Sequence, residues 1–430
     1  MEKDLVKAFG WYLKAANNGN SDATFKVGNL YFKGKGVTQD KTEAFKWYMR
    51  ATMGESMESL MKVGWCFSKG EGVAQDKSKA FGWYMKAANN GYPKAMGKVG
   101  SYYEQGKGVA KDLKKAFEWY MKGANNGDGV SMSCVGVCYL KGDGVSQDKE
   151  RAFKWFMKSA VVGCSDGMLM VGHCFSEGEG VEKDKEKAFE WFMRSANMGN
   201  YNAMNQVGVC YSFGLGVAQD KKVAFEWYLK ATNGGNGVSM SNVAYFYSKG
   251  KGVKKDKSKA FEWYLKAANS EDVYSMNKVA SYYFKGKGVK KDKSKAFEWY
   301  LKAAENDDET GMYNVGLCYS EGDGVEKDKE KAFEWYLKAA DKNHAQGAYK
   351  VGYCYQHGTG VAKDLDKAES FYSKAKELGC DKGKRFLKKR YRKRYSFHSY
   401  HDSCHMNPLY ETHDDDLEMT TPCFMGDGLI

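Results

Sequence analysis

Residues able to do chemistry are sparse in this sequence. Three of its seven histidines, His173, His344 and His357, stand far apart or on unrelated positions, and no serine–histidine–aspartate or cysteine–histidine set is indicated by their spacing. A single histidine on a helix is most often a packing or surface residue, although its pKa suits proton transfer. We therefore expect no catalytic residues and no enzymatic activity.

One pattern near the C-terminal end resembles a metal-binding cluster. His398, His401, Cys404 and His405 place four potential ligands within eight residues, and histidine and cysteine are common ligands of zinc. The sequence offers no second ligand cluster, and the segment looks disordered, so a preformed site is not indicated. We favour a chance cluster and expect no metal site and no cofactor.

Glycines recur in a G-x-G-V pattern, for example in residues 34–37, 142–145 and 358–361. A phosphate-binding loop needs G-x-x-x-x-G-K-[ST] after a strand, and this pattern lacks both features. The first glycine suits instead the left-handed position just after a helix, where other residues pay a steric cost. The pattern therefore predicts a structural turn.

These features belong to a repeat of 36 residues. A tryptophan returns at this interval, and the next step falls on Phe371; the tryptophans are Trp11, Trp47, Trp83, Trp119, Trp155, Trp191, Trp227, Trp263, Trp299 and Trp335. A fixed period of this size is typical of solenoids, in which each unit contacts only its neighbours. The period therefore predicts one elongated array and not several globular domains.

The tryptophan of each repeat lies in a predicted helix, which we call helix B. Residues 256–269, around Trp263, have apolar side chains on a broad helical stripe. Asp256 stands just before them, where an N-cap side chain accepts hydrogen bonds from the first turn. The same aspartate occurs in every repeat, and Asp4 is the predicted cap in residues 1–20, where helix B has no helix before it. Phe9 and Trp11 of this partial repeat are expected to be exposed.

A second helix, called helix A, precedes helix B in each full repeat. It is clearest in residues 57–69 and 201–213. Its third position is small, its seventh is valine, its eighth is glycine or alanine, and its eleventh is aromatic. Glycine inside a helix costs up to about 1 kcal/mol, so its recurrence predicts that two helices approach closely there.

Cysteine usage indicates packing and not cross-linking. Six of the eleven cysteines share the tenth position of helix A, where other repeats have leucine, tyrosine or phenylalanine: these are Cys66, Cys138, Cys174, Cys210, Cys318 and Cys354. Cysteine in such a position behaves as a small hydrophobe. Stacked helices lie about 10 Å apart, too far for a disulfide between adjacent copies. This usage favours a reducing compartment.

The net charge of +13 is unevenly distributed. Residues 381–395 contain nine basic residues and one acid, whereas residues 396–430 contain seven acids and no lysine or arginine. In the repeat register, Gly383, Leu387 and Tyr391 take the small, valine and aromatic positions of helix A. One apolar and one charged face are typical of a solenoid end, so residues 381–395 are predicted to be a basic capping helix. The remaining charge is dispersed, as on a solvated surface.

The predicted organisation is therefore a partial repeat in residues 1–20, ten repeats in residues 21–380, the capping helix in residues 381–395 and a disordered acidic tail in residues 396–430. The sequence shows no apolar run long enough for a membrane span and no secretory signal. We expect a cytoplasmic protein. The run of residues 388–394 could alternatively act as a nuclear localisation signal.

The combination of D-x-x-K-A-F-x-W-Y-x-K-A-A with A-x-x-x-V-G-x-x-Y-x-x-G-x-G-V resembles Sel-one-like repeat proteins, a subgroup of the tetratricopeptide-like helical solenoids. The resemblance covers residues 4–395. It implies an all-α, right-handed superhelical solenoid of antiparallel helix pairs that serves as an interaction scaffold. A related cysteine-rich bacterial group has paired cysteines in each repeat, and this chain lacks those pairs.

By analogy with this superfamily, the variable positions of helix A line the concave groove of the solenoid. The fifth, ninth and twelfth positions form one stripe because they are spaced i, i+4, i+7. The predicted partner-binding residues on it are Met61, Trp65, Leu169, His173, Tyr245, Tyr313, Leu317, Tyr349 and Tyr353. Aromatic residues in a groove are typical binding hot spots, but the same side chains could instead pack against neighbouring repeats.

The leading hypothesis is thus a non-enzymatic scaffold that binds a protein or peptide in its groove. The alternative is a regulatory or docking region of a larger signalling protein, such as a kinase-associated one, truncated at its N-terminus. Nucleic-acid binding through residues 381–395 is a weaker idea, because the basic run is accounted for by a capping helix.

Overall fold

The computed structural model describes residues 2–54 and 56–395, and all regular secondary structure within them is helical. The predicted tail, with its histidine–cysteine cluster, lies outside the described residues. The chain forms two compact units that divide between Asp220 and Lys221. In each unit, helices that follow one another in sequence pack as antiparallel pairs, as the repeat predicts.

Ten helices correspond to helix A: α2 Ser21–Lys33, α4 Met57–Lys69, α6 Pro93–Gln105, α8 Gly129–Lys141, α10 Ser165–Glu177, α12 Tyr201–Phe213, α14 Gly237–Lys249, α16 Val273–Lys285, α18 Glu309–Glu321 and α20 Ala345–His357.

Eleven helices correspond to helix B: α1 Glu2–Asn17, α3 Lys41–Ala51, α5 Lys77–Asn89, α7 Leu113–Asn125, α9 Lys149–Val161, α11 Lys185–Asn197, α13 Lys221–Ala231, α15 Lys257–Asn269, α17 Lys293–Glu305, α19 Lys329–Asp341 and α21 Leu365–Glu377. The described chain ends with a 3-10 turn, Asp381–Gly383, and α22, Lys384–Tyr395.

The repeated aspartate caps helix B. Asp256 Oδ1 accepts a hydrogen bond of 2.9 Å from the backbone N–H of Lys259, the third residue of α15. The same bond occurs at Asp40, Asp76, Asp112, Asp148, Asp184, Asp292, Asp328 and Asp364. The prediction was wrong for Asp4, because α1 already begins at Glu2 and Asp4 lies within its first turn.

The two glycines of each G-x-G-V loop have different tasks. Gly286 ends α16 in the left-handed region, at φ 64°, as predicted for the first glycine. Gly288 also has positive φ, 71°, and a side chain there would collide with the backbone carbonyl of Lys257 in the preceding repeat. The second glycine therefore holds one repeat against the next, a role that the sequence pattern alone did not reveal.

The core lies between helices A and B. The valine at the seventh position of helix A has no exposed surface in any of the ten repeats, and the aromatic residue that follows the repeated tryptophan is buried throughout, from Tyr48 to Tyr372. The glycine at the eighth position makes room for this ring: a Cβ on Gly64 would lie 2.7 Å from Tyr84. The predicted close approach of helices is confirmed, and its physical reason is the buried tyrosine.

The tryptophans that define the period are only half-buried from Trp47 to Trp335. The lysine or arginine three positions later places its charged group over each indole ring. Lys266 Nζ, for example, lies 4.3 Å from the ring centroid of Trp263. A lysine over an indole face is attracted by the ring quadrupole. The repeated tryptophan therefore covers the outside of helix B and does not form its deepest contact.

An edge-to-face ring contact joins each repeat to the next. Phe261 of α15 meets Tyr283 of α16 at 5.1 Å between ring centroids and 81° between ring planes. Equivalent contacts recur in both units, beginning with Phe9 and Tyr31 at 5.3 Å. Phe9 is partly buried by this contact, so the prediction that it is exposed was wrong, whereas Trp11 is 70% exposed as predicted.

The last repeat replaces the ring contact by ion pairs. Glu369 stands where the other helices have phenylalanine, and its carboxylate lies 3.1 Å from Nε of Arg390 in α22. Arg390 also pairs with Asp366. The ring of Phe386 lies 4.9 Å from that of Tyr372 in a tilted contact, and Gly383 fits closely against the same ring. These contacts support our interpretation of α22 as a cap, whose lysines Lys384, Lys388 and Lys389 are exposed.

Candidate partner-binding surface

Helix A presents its fifth position to the buried aromatic residue of the following helix B. The ring centroids of Phe25 and Tyr48 are 5.5 Å apart, and those of Tyr349 and Tyr372 are 5.6 Å apart. A side chain at this position is thus anchored on the core and has only part of its surface available. The ninth position lies one turn later and is exposed at Tyr353.

Met61 and Trp65 lie on α4 and both pack against the core of the first unit. Trp65 meets Phe32 of the preceding repeat edge to face at 5.5 Å. Lys62 lies between these rings, with Nζ 3.8 Å from the centroid of Trp65 and 4.3 Å from that of Phe32. Burial lowers the pKa of Lys62. The aromatic pair is therefore already occupied by a cation of the same chain.

Leu169 and His173 lie on α10, also in the first unit. Leu169 is only 1% exposed, so it is a core residue, and its prediction as a groove contact is corrected. The spacing was right, but Leu169 occupies the fifth position, which helix A presents to the buried aromatic residue of the following helix B. His173 packs edge to face on Phe192 at 5.1 Å, and burial lowers its pKa. It is a neutral packing histidine at physiological pH.

Tyr245 of α14 lies in the second unit and is half-buried. Its Oη accepts a hydrogen bond of 3.0 Å from Nζ of Lys251, and the same lysine lies 4.9 Å from the ring centroid. Lys251 belongs to the loop that follows α14. Tyr245 therefore connects the variable stripe of helix A with the loop that follows this helix.

Tyr313, Leu317, Tyr349 and Tyr353 belong to the adjacent helices α18 and α20 of the second unit. Tyr313, Leu317 and Tyr349 pack against the same core, and Tyr353 is one turn from Tyr349 with 42% of its surface exposed. We call these four side chains the tyrosine patch. It is the largest group of predicted residues that the structure places on neighbouring helices of one unit.

Two histidines border the tyrosine patch. His344 Nδ1 accepts a hydrogen bond of 3.0 Å from the backbone N–H of Gly347 and so caps α20, while its ring lies 4.8 Å from that of Tyr313. The ring of His357, at the end of α20, lies 4.3 Å from that of Tyr353 in a tilted contact. Burial lowers the pKa of His344. These histidines support tyrosine rings and do not form a catalytic set.

Tyr274 and Lys278 of α16 were not predicted. Tyr274 is 42% exposed, and Lys278 Nζ lies 4.7 Å from its ring centroid. The second and sixth positions of helix A are as variable between repeats as the stripe, and they are spaced i, i+4. That variability is the signal that would have found them.

The described residues contain no group of three or more histidine, cysteine or acidic side chains that could hold a metal ion. The six cysteines of the tenth position are free and buried, as the packing interpretation predicts. Burial raises the pKa of Cys174 and Cys210 to about 12. These thiols are therefore protonated and unsuited to nucleophilic attack at physiological pH.

No helix in the described part of the chain has the length and apolar character needed to cross a membrane.

Known structures share this architecture. A protective antigen of uropathogenic Escherichia coli, c5321, which displays the SLR fold, is 28% identical, with a TM-score of 0.55 over 95% of this chain and 93% of its own. A Sel1 repeat protein from Oxalobacter formigenes is 25% identical, with a TM-score of 0.55 over 73% of this chain and 94% of its own. No curated protein sequence matches the chain.

The family profile described as the Sel1 repeat matches the chain eleven times, at residues 1–20, 21–54, 58–92, 93–128, 131–160, 165–200, 202–236, 237–272, 273–308, 310–344 and 345–380. Sel1 repeat proteins are typically non-enzymatic scaffolds, and their repeats generally mediate interactions between proteins. With its paired helices, capped by aspartate and closed by the G-x-G-V loop, the chain belongs to the Sel1 repeat family.

Proposed function

We propose that this protein is a non-enzymatic scaffold that binds a protein or peptide partner through the variable face of helix A, chiefly at the tyrosine patch of Tyr313, Leu317, Tyr349 and Tyr353. The observation that carries the proposal is the exposure of Tyr353, 42%, at the end of a row of aromatic side chains anchored on the core.

The physical basis is that these side chains lose little conformational entropy when a partner binds. Tyr349 and Tyr313 are held by ring contacts with the buried Tyr372 and Tyr336, at 5.6 and 6.0 Å. A partner that covers them does not have to immobilise mobile side chains, so less of the binding free energy is lost in ordering the interface. Tyrosine also combines a large apolar ring with a hydroxyl that can donate or accept a hydrogen bond.

Met61, Trp65, His173 and Tyr245 extend the proposal to other helices of the two units. Trp65 is a weaker candidate because Lys62 occupies its ring face. His173 is a weaker candidate because it is half-buried and packs edge to face on Phe192.

The test is affinity capture from cell lysate with three forms of the chain. The test variant carries Tyr349→Ala and Tyr353→Ala. The control carries Leu229→Ala and Leu365→Ala, which remove exposed apolar side chains of helix B in the same unit, 41% and 37% exposed. Circular dichroism would check that all three are equally helical.

We expect a partner that the wild type and the control capture and the test variant loses. Loss of a central aromatic residue typically weakens binding by about 2 kcal/mol or more, which corresponds to at least a tenfold lower affinity. Equal capture by all three forms would contradict the proposal, because the tyrosines would then serve only packing.

A further inference from the structure

The loops of two adjacent repeats in the second unit are unusually basic. Residues 249–257 contain five lysines against Asp256, and residues 285–293 contain five lysines against Asp292. We call this surface the basic ridge and leave out Lys293, which pairs with Asp323; the nine lysines of the ridge are Lys249, Lys251, Lys254, Lys255, Lys257, Lys285, Lys287, Lys290 and Lys291. Eight of the nine are exposed, and Lys251 is half-buried.

The fold holds the two loops on one edge. Gly288 has a positive φ of 71° and sits so close to the backbone carbonyl of Lys257 that a side chain would have no space. The loop of residues 285–293 is therefore fixed on the start of α15, directly after the loop of residues 249–257. Backbone packing therefore keeps the lysines of both loops on one edge.

At some other repeats the same edge carries ion pairs, whereas Lys77 faces the cation Lys107. The lysine that begins helix B pairs with the acid in the next G-x-G-V loop, as in Lys41 with Glu71 at 2.7 Å and Lys149 with Glu179 at 3.2 Å. In the basic ridge, the loop residue that stands opposite Lys257 is Lys287, which is also a cation. The described residues provide no ion pair for either. The neighbouring lysines, Lys285 foremost, lower the pKa of Lys287, so the positive charges repel one another in the free protein.

Tyrosines border the basic ridge. Lys251 donates to Tyr245 Oη at 3.0 Å, and Tyr274, which is 42% exposed, carries Lys278 at 4.7 Å from its ring centroid. Burial and the charge of Lys249 lower the pKa of Lys278. Lysine charges and aromatic rings are thus adjacent on one face.

The positive stretch is short. The next loop, residues 321–329, has four acids, Glu321, Asp323, Glu326 and Asp328, against two lysines. With stacked helices about 10 Å apart, two helix pairs span a few tens of ångströms, which an extended segment of about 6 to 10 residues covers at roughly 3.3 Å per residue. Nucleic acids accumulate affinity over many phosphates along a longer path, so the limited length favours a short acidic peptide.

We propose that the basic ridge binds an acidic segment of a protein partner, whose carboxylates contact the lysines of both loops and whose neighbouring side chains contact Tyr245 and Tyr274. This inference rests on the proposed scaffold function and gives the chemistry of one partner segment. Binding relieves the repulsion between the lysines, so affinity falls steeply with added salt.

The test is fluorescence anisotropy with the full chain and a labelled peptide of six glutamates and two tyrosines. The test variant carries Lys251→Glu and Lys287→Glu. The matched control carries Lys35→Glu and Lys107→Glu, which reverse the same number of charges at the same G-x-G position outside the basic ridge. An oligothymidylate of eight nucleotides serves as the competitor. Circular dichroism would verify the helicity of each form.

We expect saturable binding that the test variant weakens at least about tenfold and the control less than about twofold. Equal weakening by both variants would show a net-charge effect and overturn the proposal. So would no saturable binding at about 1 mM protein, or stronger binding of the oligonucleotide than of the peptide. The capture experiment on Tyr349 and Tyr353 uses none of these lysines, so failure here leaves that test intact.

Discussion

At the scale of single residues, the fold depends on glycines that make space for buried rings. Gly64 of α4 and Gly82 of α5 both lie inside helices of one pair, but only Gly64 faces a neighbour. A Cβ on Gly64 would come within 2.7 Å of the ring of Tyr84, whereas a Cβ on Gly82 would have no atom within 4 Å. At Gly64 the glycine is needed for packing, whereas at Gly82 it only lowers the stability of the helix.

We predict opposite effects of alanine at these positions. Gly82→Ala stabilises α5 by up to about 1 kcal/mol, because alanine is the better helix former. Gly64→Ala destabilises the pair by about 1–3 kcal/mol through overpacking against Tyr84. Because repeat arrays need not unfold in one step, the suitable measurement is amide hydrogen exchange in α4 and α5. Faster exchange in Gly82→Ala, or slower exchange in Gly64→Ala, would refute the assignment.

At the scale of elements, each helix B depends on its aspartate cap. The backbone N–H of the third helical residue donates to the carboxylate and lowers the pKa of Asp76, Asp112, Asp184 and Asp328 below the ordinary value of 3.8. A depressed pKa means that the stabilisation is present above 3.8 and is lost as the pH falls through the lower folded-state pKa.

We therefore predict a loss of thermal stability as the pH falls below 3.8 and through the lower folded-state pKa values, since protonation removes the charged caps. A variant with asparagine at these four positions keeps a capping oxygen that does not titrate. Its melting temperature, followed by circular dichroism, should depend less on pH than that of the wild type. If both melting curves shift equally, the caps do not cause the acid sensitivity.

The elements were largely predictable from the sequence because the signals repeat. The aspartate cap, the first glycine and the period of the tryptophans each occur about ten times, so tertiary context cannot disguise them all. The second glycine was not predictable in its role, because its contact with the carbonyl of Lys257 joins two repeats. The cap at Asp4 was predicted wrongly, because α1 begins at Glu2 and the aspartate lies inside its first turn.

At the scale of the whole molecule, the family and the all-helical architecture followed from the sequence, whereas the surface followed only in part. Spacing placed Leu169 and Tyr353 on one stripe, yet Leu169 is 1% and Tyr353 42% exposed. Leu169 occupies the fifth position of helix A, which faces the buried aromatic residue of the next helix B, whereas Tyr353 occupies the ninth position. Spacing alone does not reveal this difference in burial. Trp65 was favoured for its residue type, and the structure shows that Lys62 covers its ring.

The central claim is that partners contact the tyrosine patch. The most direct measurement places a photo-crosslinking phenylalanine analogue at Tyr353 and, as a control of equal exposure in the same unit, at Leu229, which are 42% and 41% exposed. We predict a crosslinked partner from the substitution at Tyr353 and none from that at Leu229, with the crosslink suppressed by Tyr349→Ala. Equal crosslinking at both positions, or at Leu229 alone, would contradict the proposed binding surface.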